Sequence, residues 1–304
     1  MCGFIVFIKK DKIFSEKLLK SLEKKIFHRG PDSGGYLIKE NVALIFRRLS
    51  IIDLSKLSNQ PMSLSKYKIS LVFNGEIYNY LELKKELISR GYSFRSKGDA
   101  EVILNGYLEW GEKISDKLEG MFTFAILDLN KRYIFVSRDQ MGIKPLYIMQ
   151  NNEMIFISSE IRPLTEITNL EVDKKSLREI VFFRYASGKS TGYKYVNKIL
   201  AGYNYLVDID TFQVKKKKYF DIYSSFKNNI NKNFLNITKN TLFDSFTKHT
   251  QSDVGFAVQL SGGLDSSLLV AYLQRKYGMK ISTYSIRLDS RELDEKQYIR
   301  YIND

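Results

Sequence analysis

The sequence predicts a strand-rich α+β domain followed by the opening of an α/β unit built on a parallel sheet. Three observations predict it. Up to about residue 165, short apolar runs rich in Phe, Ile, Val and Tyr recur between polar or Gly residues, as half-buried and buried strands do. Two segments within this stretch carry helical spacing instead. From Val254 the pattern changes to strand, Gly turn, helix, strand and helix.

Taken in order, the strand candidates are Phe4–Ile8, Val42–Phe46, Ile69–Phe73, Phe122–Leu127, Tyr133–Val136 and Met154–Ile157. In the helical segment Tyr80–Ser89, Leu81, Leu83, Leu87 and Ile88 fall near one face. Asp99–Trp110 does the same with Val102, Ile103, Gly106 and Tyr107, and Asp99 stands where a carboxylate favours the helix dipole. Many strands with few helices imply sheets covered by helices. Between Asp173 and Lys232 the pattern weakens and turns polar, and it includes the densest basic run, Lys215–Lys218. Further on, Val254–Leu260 reads as a buried strand, Ser261-Gly262-Gly263 as a turn, Ser266–Lys276 as a helix, Ile281–Leu288 as a second strand and Glu292–Ile302 as a second helix. Such a βαβα start implies a parallel sheet. The boundaries we assign are 1–210 for the first domain, 211–235 for a connecting segment and 236–304 for the second domain.

Composition narrows the function classes. Across 304 residues, 44% are hydrophobic and 27% charged, ordinary values for a soluble globular protein. They exclude a disordered tail and a collagen-like repeat. With one cysteine and two histidines, the chain can form neither an intramolecular disulfide nor a four-thiolate zinc site. No apolar run approaches the ~20 residues of a membrane span. No basic segment precedes an apolar stretch at the N-terminus, so we expect no secretory signal and a cytoplasmic protein. The net charge is +14, but the lysines are scattered, so we expect neither a nucleic-acid nor a membrane partner.

Three short segments carry chemistry. Cys2 would become N-terminal if Met1 were removed, and an α-amine with a pKa near ~7.7–8.0 takes a thiol proton without help from histidine. Gly3 would leave room for a substrate there. Asn74-Gly75 at the end of a strand offers an amide side chain and an unhindered N–H, the donors of an oxyanion hole, though Asn-Gly also serves as a plain turn. Ser261–Ser266 places a Gly-rich turn between a strand and a helix, where backbone N–H groups point at an anion. No Gly-Lys-Ser/Thr follows, so it is not a Walker A loop.

At these residues the sequence resembles the glutamine-hydrolysing asparagine synthetases. The resemblance rests on Met1-Cys2-Gly3-Phe4, His28–Asp32, Arg48–Asp53, Phe73–Tyr80, Arg138-Asp139, Gly142–Tyr147, Ser159–Ile161 and Leu260–Ser267, all in the family's order. It implies a class II glutamine amidotransferase domain with an αββα sandwich of N-terminal-nucleophile-hydrolase type, joined to the start of an ATP-pyrophosphatase-type nucleotide-binding domain. By the same resemblance Cys2 attacks glutamine, Asn74 and Gly75 hold the oxyanion, and Arg48 pairs with the substrate carboxylate. Leu49, Ser50, Ile51 and Ile52, with Glu76 and Asp99, orient the substrate. Ser261, Gly262, Gly263 and Ser266 would bind the phosphates of ATP, Asp265 would lie near Mg²⁺, and Leu260 and Ile286 would contact the adenosine. Asp294-Glu295 resembles the family's acidic pair and reads equally as a solvated helix start. Arg48, Glu76 and Asp99 also have plain readings, as a surface charge, a strand-end carboxylate and a helix cap.

The resemblance further implies glutamine, aspartate and ATP as substrates and a homodimer as the assembly. Two local departures are Arg287, where a glycine is expected, and Ala201-Gly202-Tyr203, in place of a Pro-Gly-His-like turn. Family members continue for roughly another domain. The leading expectation is therefore an asparagine synthetase whose synthetase half is incomplete in this chain. A relative that amidates another carboxylate and a non-catalytic binding subunit stay open as alternatives.

Overall fold

A period of two along the first strand sorts its side chains between two cores, and this organises the larger part of the molecule. The computed structural model describes residues 1–225, 233–278, 280–286 and 299. It divides the chain into two units, Met1–Phe226 and Lys227–Asp304.

In the first unit the elements run β1 (Gly3–Lys9), α1 (Glu16–Lys25), β2 (Ser33–Lys39), β3 (Val42–Arg48), β4 (Met62–Leu64), β5 (Ile69–Ile77), α2 (Tyr80–Ser89), α3 (Ala100–Trp110) and α4 (Ile114–Lys117). They continue with β6 (Gly120–Asp128), β7 (Tyr133–Arg138), β8 (Tyr147–Gln150), β9 (Met154–Ser158), α5 (Lys174–Phe183), β10 (Val196–Lys198), β11 (Tyr203–Asp208), β12 (Val214–Lys218) and α6 (Ile222–Ser225). The strands form two antiparallel six-stranded sheets, ordered β10-β8-β9-β1-β3-β2 and β12-β11-β7-β6-β5-β4.

Phe4, Val6 and Ile8 of β1 point into the core between the sheets, where they meet Val72 of β5, Ala125 of β6 and Val136 of β7. Ile5 and Phe7 point the other way, onto Leu19 and Leu22 of α1. The second sheet does the same in mirror order: Leu71 and Phe73 of β5 and Phe124 of β6 pack on Leu83, Leu87, Val102 and Ile103 of α2 and α3. Helix, sheet, sheet, helix is the αββα order. Each large side chain buried in these cores contributes about 1.5–3 kcal/mol.

Several readings are corrected. The Lys215–Lys218 run lies on β12, which pairs with β11 from Tyr203↔Lys218 to Val207↔Val214, so the sheet runs past residue 210 into the segment assigned as a connector. Consecutive lysines hide the alternation that marks a strand, and on a sheet edge they discourage pairing with another chain. The weak stretch after Asp173 also holds α5, with the Asp173 side chain capping the N–H groups of Lys175 and Ser176. On α2 only Leu83 and Leu87 of the expected face are buried, one turn apart, while Leu81 and Ile88 are exposed. Helix α1 and strands β2 and β8 were not read from the sequence.

The second unit contains α7 (Phe234–Lys248), β13 (Val258–Gln259), α8 (Leu264–Tyr277) and β14 (Thr283–Tyr284). β13 and β14 pair in parallel, Val258 opposite Thr283. Val258, Leu260, Val270 and Leu273 form a small core between strand and helix. Both strands are shorter than the runs Val254–Leu260 and Ile281–Leu288. The expectations for Arg287, Asp294-Glu295 and the second helix lie outside the described residues. No helix among the described residues is long and apolar enough to cross a membrane.

The aromatic layer on the outer face of the second sheet gives a test of this packing. Phe124 is fully buried, its ring 5.8 Å from that of Phe122 and 5.7 Å from that of Phe135. Phe124→Ala is expected to cost about 3–5 kcal/mol, read as a lowered urea midpoint.

Candidate active site

Strand ends from both sheets meet at one cavity of about 50 Å³. The start of β1 brings Cys2, the end of β3 brings Arg48 and Leu49, and the end of β5 brings Asn74, Gly75 and Glu76. Ile51 and Ile52 from the loop after β3 and Asp99 from the start of α3 complete the expected set at this wall. Ser50 is the exception. Its N–H donates to Asp32 Oδ2 at 2.7 Å, and it does not line the cavity.

Cys2 Sγ is held by Leu49, donating to its carbonyl at 3.5 Å and accepting from its N–H at 3.4 Å. Burial pushes the thiol pKa up, against the Leu49 N–H and the neighbouring N-terminal charge. Burial also lowers the N-terminal amine, with Arg29 and Lys144 acting in the same direction and Cys2 and Asp32 against it. Gly3 has a cause different from substrate approach. A Cβ there would lie 2.9 Å from Cδ of the buried Arg29. Arg29 Nε donates to the Cys2 carbonyl at 2.9 Å, and its Nη1 pairs with Glu160 at 3.0 Å. The same Glu160 oxygen lies 2.8 Å from His28 Nε2.

Asn74 is 1% exposed, and neither its Oδ1 nor its Nδ2 has a hydrogen-bond partner. A buried amide left this way costs on the order of 1–3 kcal/mol at each unsatisfied group. Gly75 follows because β5 and β6 come together tightly here: a Cβ would lie 2.2 Å from the Met121 carbonyl oxygen.

Arg48, expected to pair with the substrate carboxylate, is already engaged by oxygens of its own chain. Its Nη1 donates to Ser55 O and Asn59 Oδ1, both at 2.8 Å, and its Nη2 to Ile52 O at 3.3 Å and to Asp53 O. The guanidinium therefore ties down the loop that carries Ile51 and Ile52. Asp53 fixes the same loop, accepting from Ser58 Oγ at 2.6 Å and from Lys97 N at 2.7 Å. Asp99 does not cap α3 with its side chain. Its Oδ2 accepts from Ile77 N at 3.1 Å, and burial pushes its pKa up to about 7, with Glu76 adding to the rise and the Ile77 N–H opposing it.

Sequence reasoning missed Lys144, Ser58, Gln60 and Phe73, which also line the cavity. The signal for Lys144 was present in the Gly142–Tyr147 segment but carried no assigned role. Asp139 builds this turn by accepting from Met141 N, Ile143 N and Lys144 N at 3.1, 2.8 and 3.0 Å. Arg138 closes it by donating to Gly142 O and Lys144 O, both at 2.7 Å.

Residues 1–220 match the family model described as a glutamine amidotransferase domain. The chain belongs to the glutamine amidotransferase family. Residues 238–304 match the model described as asparagine synthase. Asparagine synthetase [glutamine-hydrolyzing] 1 of Bacillus subtilis is 35% identical over 97% of this chain and 47% of its own length. Putative asparagine synthetase [glutamine-hydrolyzing] 2 of Methanocaldococcus jannaschii is 32% identical over 100% and 63%. Asparagine synthetase B [glutamine-hydrolyzing] of Escherichia coli is 34% identical over 92% and 46%. The chain thus spans about half to two-thirds of the length of these relatives. Among solved structures, glutamine phosphoribosylpyrophosphate amidotransferase from B. subtilis, complexed with ADP and GMP, aligns with a TM-score of 0.55 at 14% identity, covering 99% of this chain and 70% of that one. That likeness supports the fold alone, two antiparallel sheets packed face to face between helices.

In the second unit the expected nucleotide loop lies at the start of α8. Ser261 N and Oγ approach Ser266 Oγ at 3.3 and 3.1 Å, and Gly263 N donates to Ser261 Oγ at 3.3 Å. Gly262 has φ +85°, which favours glycine. Leu260 is buried, while Ile286 is 75% exposed. Asp265 stands in the first turn of α8. Among the described residues no three His, Cys, Asp or Glu side chains gather as metal ligands.

Asp99 supplies a pH test. Its folded pKa of about 7 lies above the ordinary carboxylate value near ~3.9, so the folded state binds the extra proton between them. Stability from this group is greatest below that window and falls as pH rises through it. Urea midpoints of the wild type are expected to drop relative to Asp99→Asn between about pH 5 and about pH 8. Parallel curves would contradict the assignment.

Proposed function

We propose that the first unit is a glutaminase and that the chain carries the N-terminal part of a glutamine-dependent asparagine synthetase. The observation that carries the reading is the Asn74 amide, buried and unpartnered in the cavity that Cys2 lines. A structural asparagine would have found a partner or been replaced by an apolar residue. A donor kept for a charge that develops only during reaction has neither option.

Removal of Met1, whose side chain lines the cavity, enlarges the site and places an α-amine on Cys2. That amine takes the thiol proton, and Sγ attacks the side-chain amide carbon of glutamine. The negative charge that forms on the amide oxygen is met by Asn74 Nδ2 and the Gly75 N–H. As the C–N bond breaks, the α-ammonium returns its proton to the departing nitrogen, and ammonia leaves. Water then adds to the thioester, expelling the Cys2 sulfur and releasing glutamate. Glu76 and Asp99 lie where they would face the substrate ammonium, and ionised Asp99 would then offset its own burial. Arg48 acts chiefly by fixing the loop whose backbone orients the substrate.

In the second unit the Ser261–Ser266 loop fits nucleotide phosphates, by its N–H groups and hydroxyls at a helix N-terminus. Asp265 offers one carboxylate, which suits a Mg²⁺ whose remaining ligands are phosphate oxygens and water. Bound there, ATP would be attacked at its α-phosphorus by the aspartate β-carboxylate, giving an acyl-adenylate and pyrophosphate, and ammonia would then displace AMP to give asparagine.

Cys2→Ala is expected to abolish glutamate release from glutamine by the Met1-processed chain without changing its melting temperature; more than a few per cent residual release would overturn the nucleophile. Asn74→Ala is expected to lower kcat by about 10²–10³ with little change in KM. The same substitution should leave stability equal or raised, because it removes an unsatisfied buried amide. A destabilised Asn74→Ala with intact kcat would overturn the oxyanion role.

A further inference from the structure

Lys144 is the one charged side chain of the cavity wall that the proposed chemistry leaves without a task. It is 5% exposed, and its Nζ contacts Met1 Sδ at 3.5 Å. Its ammonium makes no ion pair among the described residues, although a buried charge ordinarily has a partner. Nor is the placement loose. Arg138 and Asp139 grip the turn from both ends, and a Cβ on Gly142, at φ +67°, would lie 3.0 Å from Ala201 Cβ. The fold thus holds a cation, at the cost of desolvating it, in the cavity wall it shares with Cys2, which carries the thiol and would carry the amine once Met1 is gone.

We propose that Lys144 is a positioning residue that acts through charge: its buried ammonium favours the thiolate and the unprotonated amine of Cys2 over their protonated forms. The inference rests on the glutaminase reading and deepens it. Both states are the ones a nucleophile with its own base must populate, and a neighbouring cation stabilises the first and disfavours the protonated form of the second. Loss of Met1 takes away the thioether, the only partner the ammonium has among the described residues, and leaves the charge with the Cys2 groups. Other charges act on the Cys2 thiol and on the Met1 amine that precedes it. Arg48 favours the thiolate and Arg29 the unprotonated Met1 amine, while Asp99 and Asp32 respectively oppose them. Lys144 itself is lowered by burial and drawn back up by Glu76, Cys2 and Asp139, with Arg29 opposing them. Burial raises the thiol in this site, so the site needs a compensating cation.

Cys2 is the only cysteine in the chain, so alkylation by iodoacetamide, followed by mass spectrometry of the Met1-processed protein, reads this thiol alone and needs no turnover. Lys144→Met and Lys144→Gln are expected to move the alkylation profile up by about 1 pH unit, a roughly tenfold slower reaction at neutral pH, while Lys144→Arg keeps the wild-type profile. The acid limb of glutamate release should move in the same direction. A profile that does not move in whichever of the two neutral variants melts like the wild type, or one that moves equally in Lys144→Arg, would overturn the proposal. A displaced alkylation profile in a protein that releases no glutamate would overturn the glutaminase reading and leave the role of Lys144 standing.

Discussion

The site depends on β1 being buried on both faces. Flanked by β3 and β9 and covered by the second sheet on one side and α1 on the other, this strand has one admissible register. A slip of one residue would exchange Phe4, Val6 and Ile8 for Ile5 and Phe7 and put each set into the wrong core. That constraint delivers Cys2 to the end of the inter-sheet space, against Leu49 and opposite the end of β5. Cys2 is thus placed by packing as well as by its contacts with Leu49 and Arg29.

Around that fixed point the structure tolerates groups that a purely stable protein would avoid. Asn74 has an unsatisfied buried amide, Arg29 a buried Nη2 without a partner, and Asp99 a carboxyl held far from its ordinary titration range. The first two each work against folding by an amount on the order of 1–3 kcal/mol. The three cores on either side and between the sheets offset them. Locally unfavourable groups cluster where chemistry is done because the surrounding scaffold over-determines their positions.

Legibility followed the same physics. Strands with apolar residues on one or both faces, such as β1, β3 and β6, announced themselves by composition. β12 did not, since four consecutive lysines hide a period of two and only its pairing with β11 reveals it. Of the candidate site, Cys2, Asn74 and Gly75 were legible as candidates from their residue types, and the structure brings all three to one cavity wall. What Arg48 does was not readable, because the oxygens it holds, from Ile52 to Asn59, belong to a loop whose path no periodicity records. Lys144 escaped for a related reason: a lysine in a sequence looks like surface, and only the clamp of Arg138 and Asp139 turns it inward. In the second unit the strand runs read longer than the paired segments, since apolar composition marks burial and not hydrogen bonding.

The burial of β1 on both faces also sets an order of events. Its two neighbours in the sheet begin at Val42 and Met154, so the second flank is made only after the residues up to Met154 have been synthesised. Until then β1 has an open edge, and the peptide bond between Met1 and Cys2 belongs to an unfinished sheet. The N-terminal residues therefore belong to an unfinished sheet early and to a completed one late. The length of that interval is set by the sequence distance between strands that lie side by side.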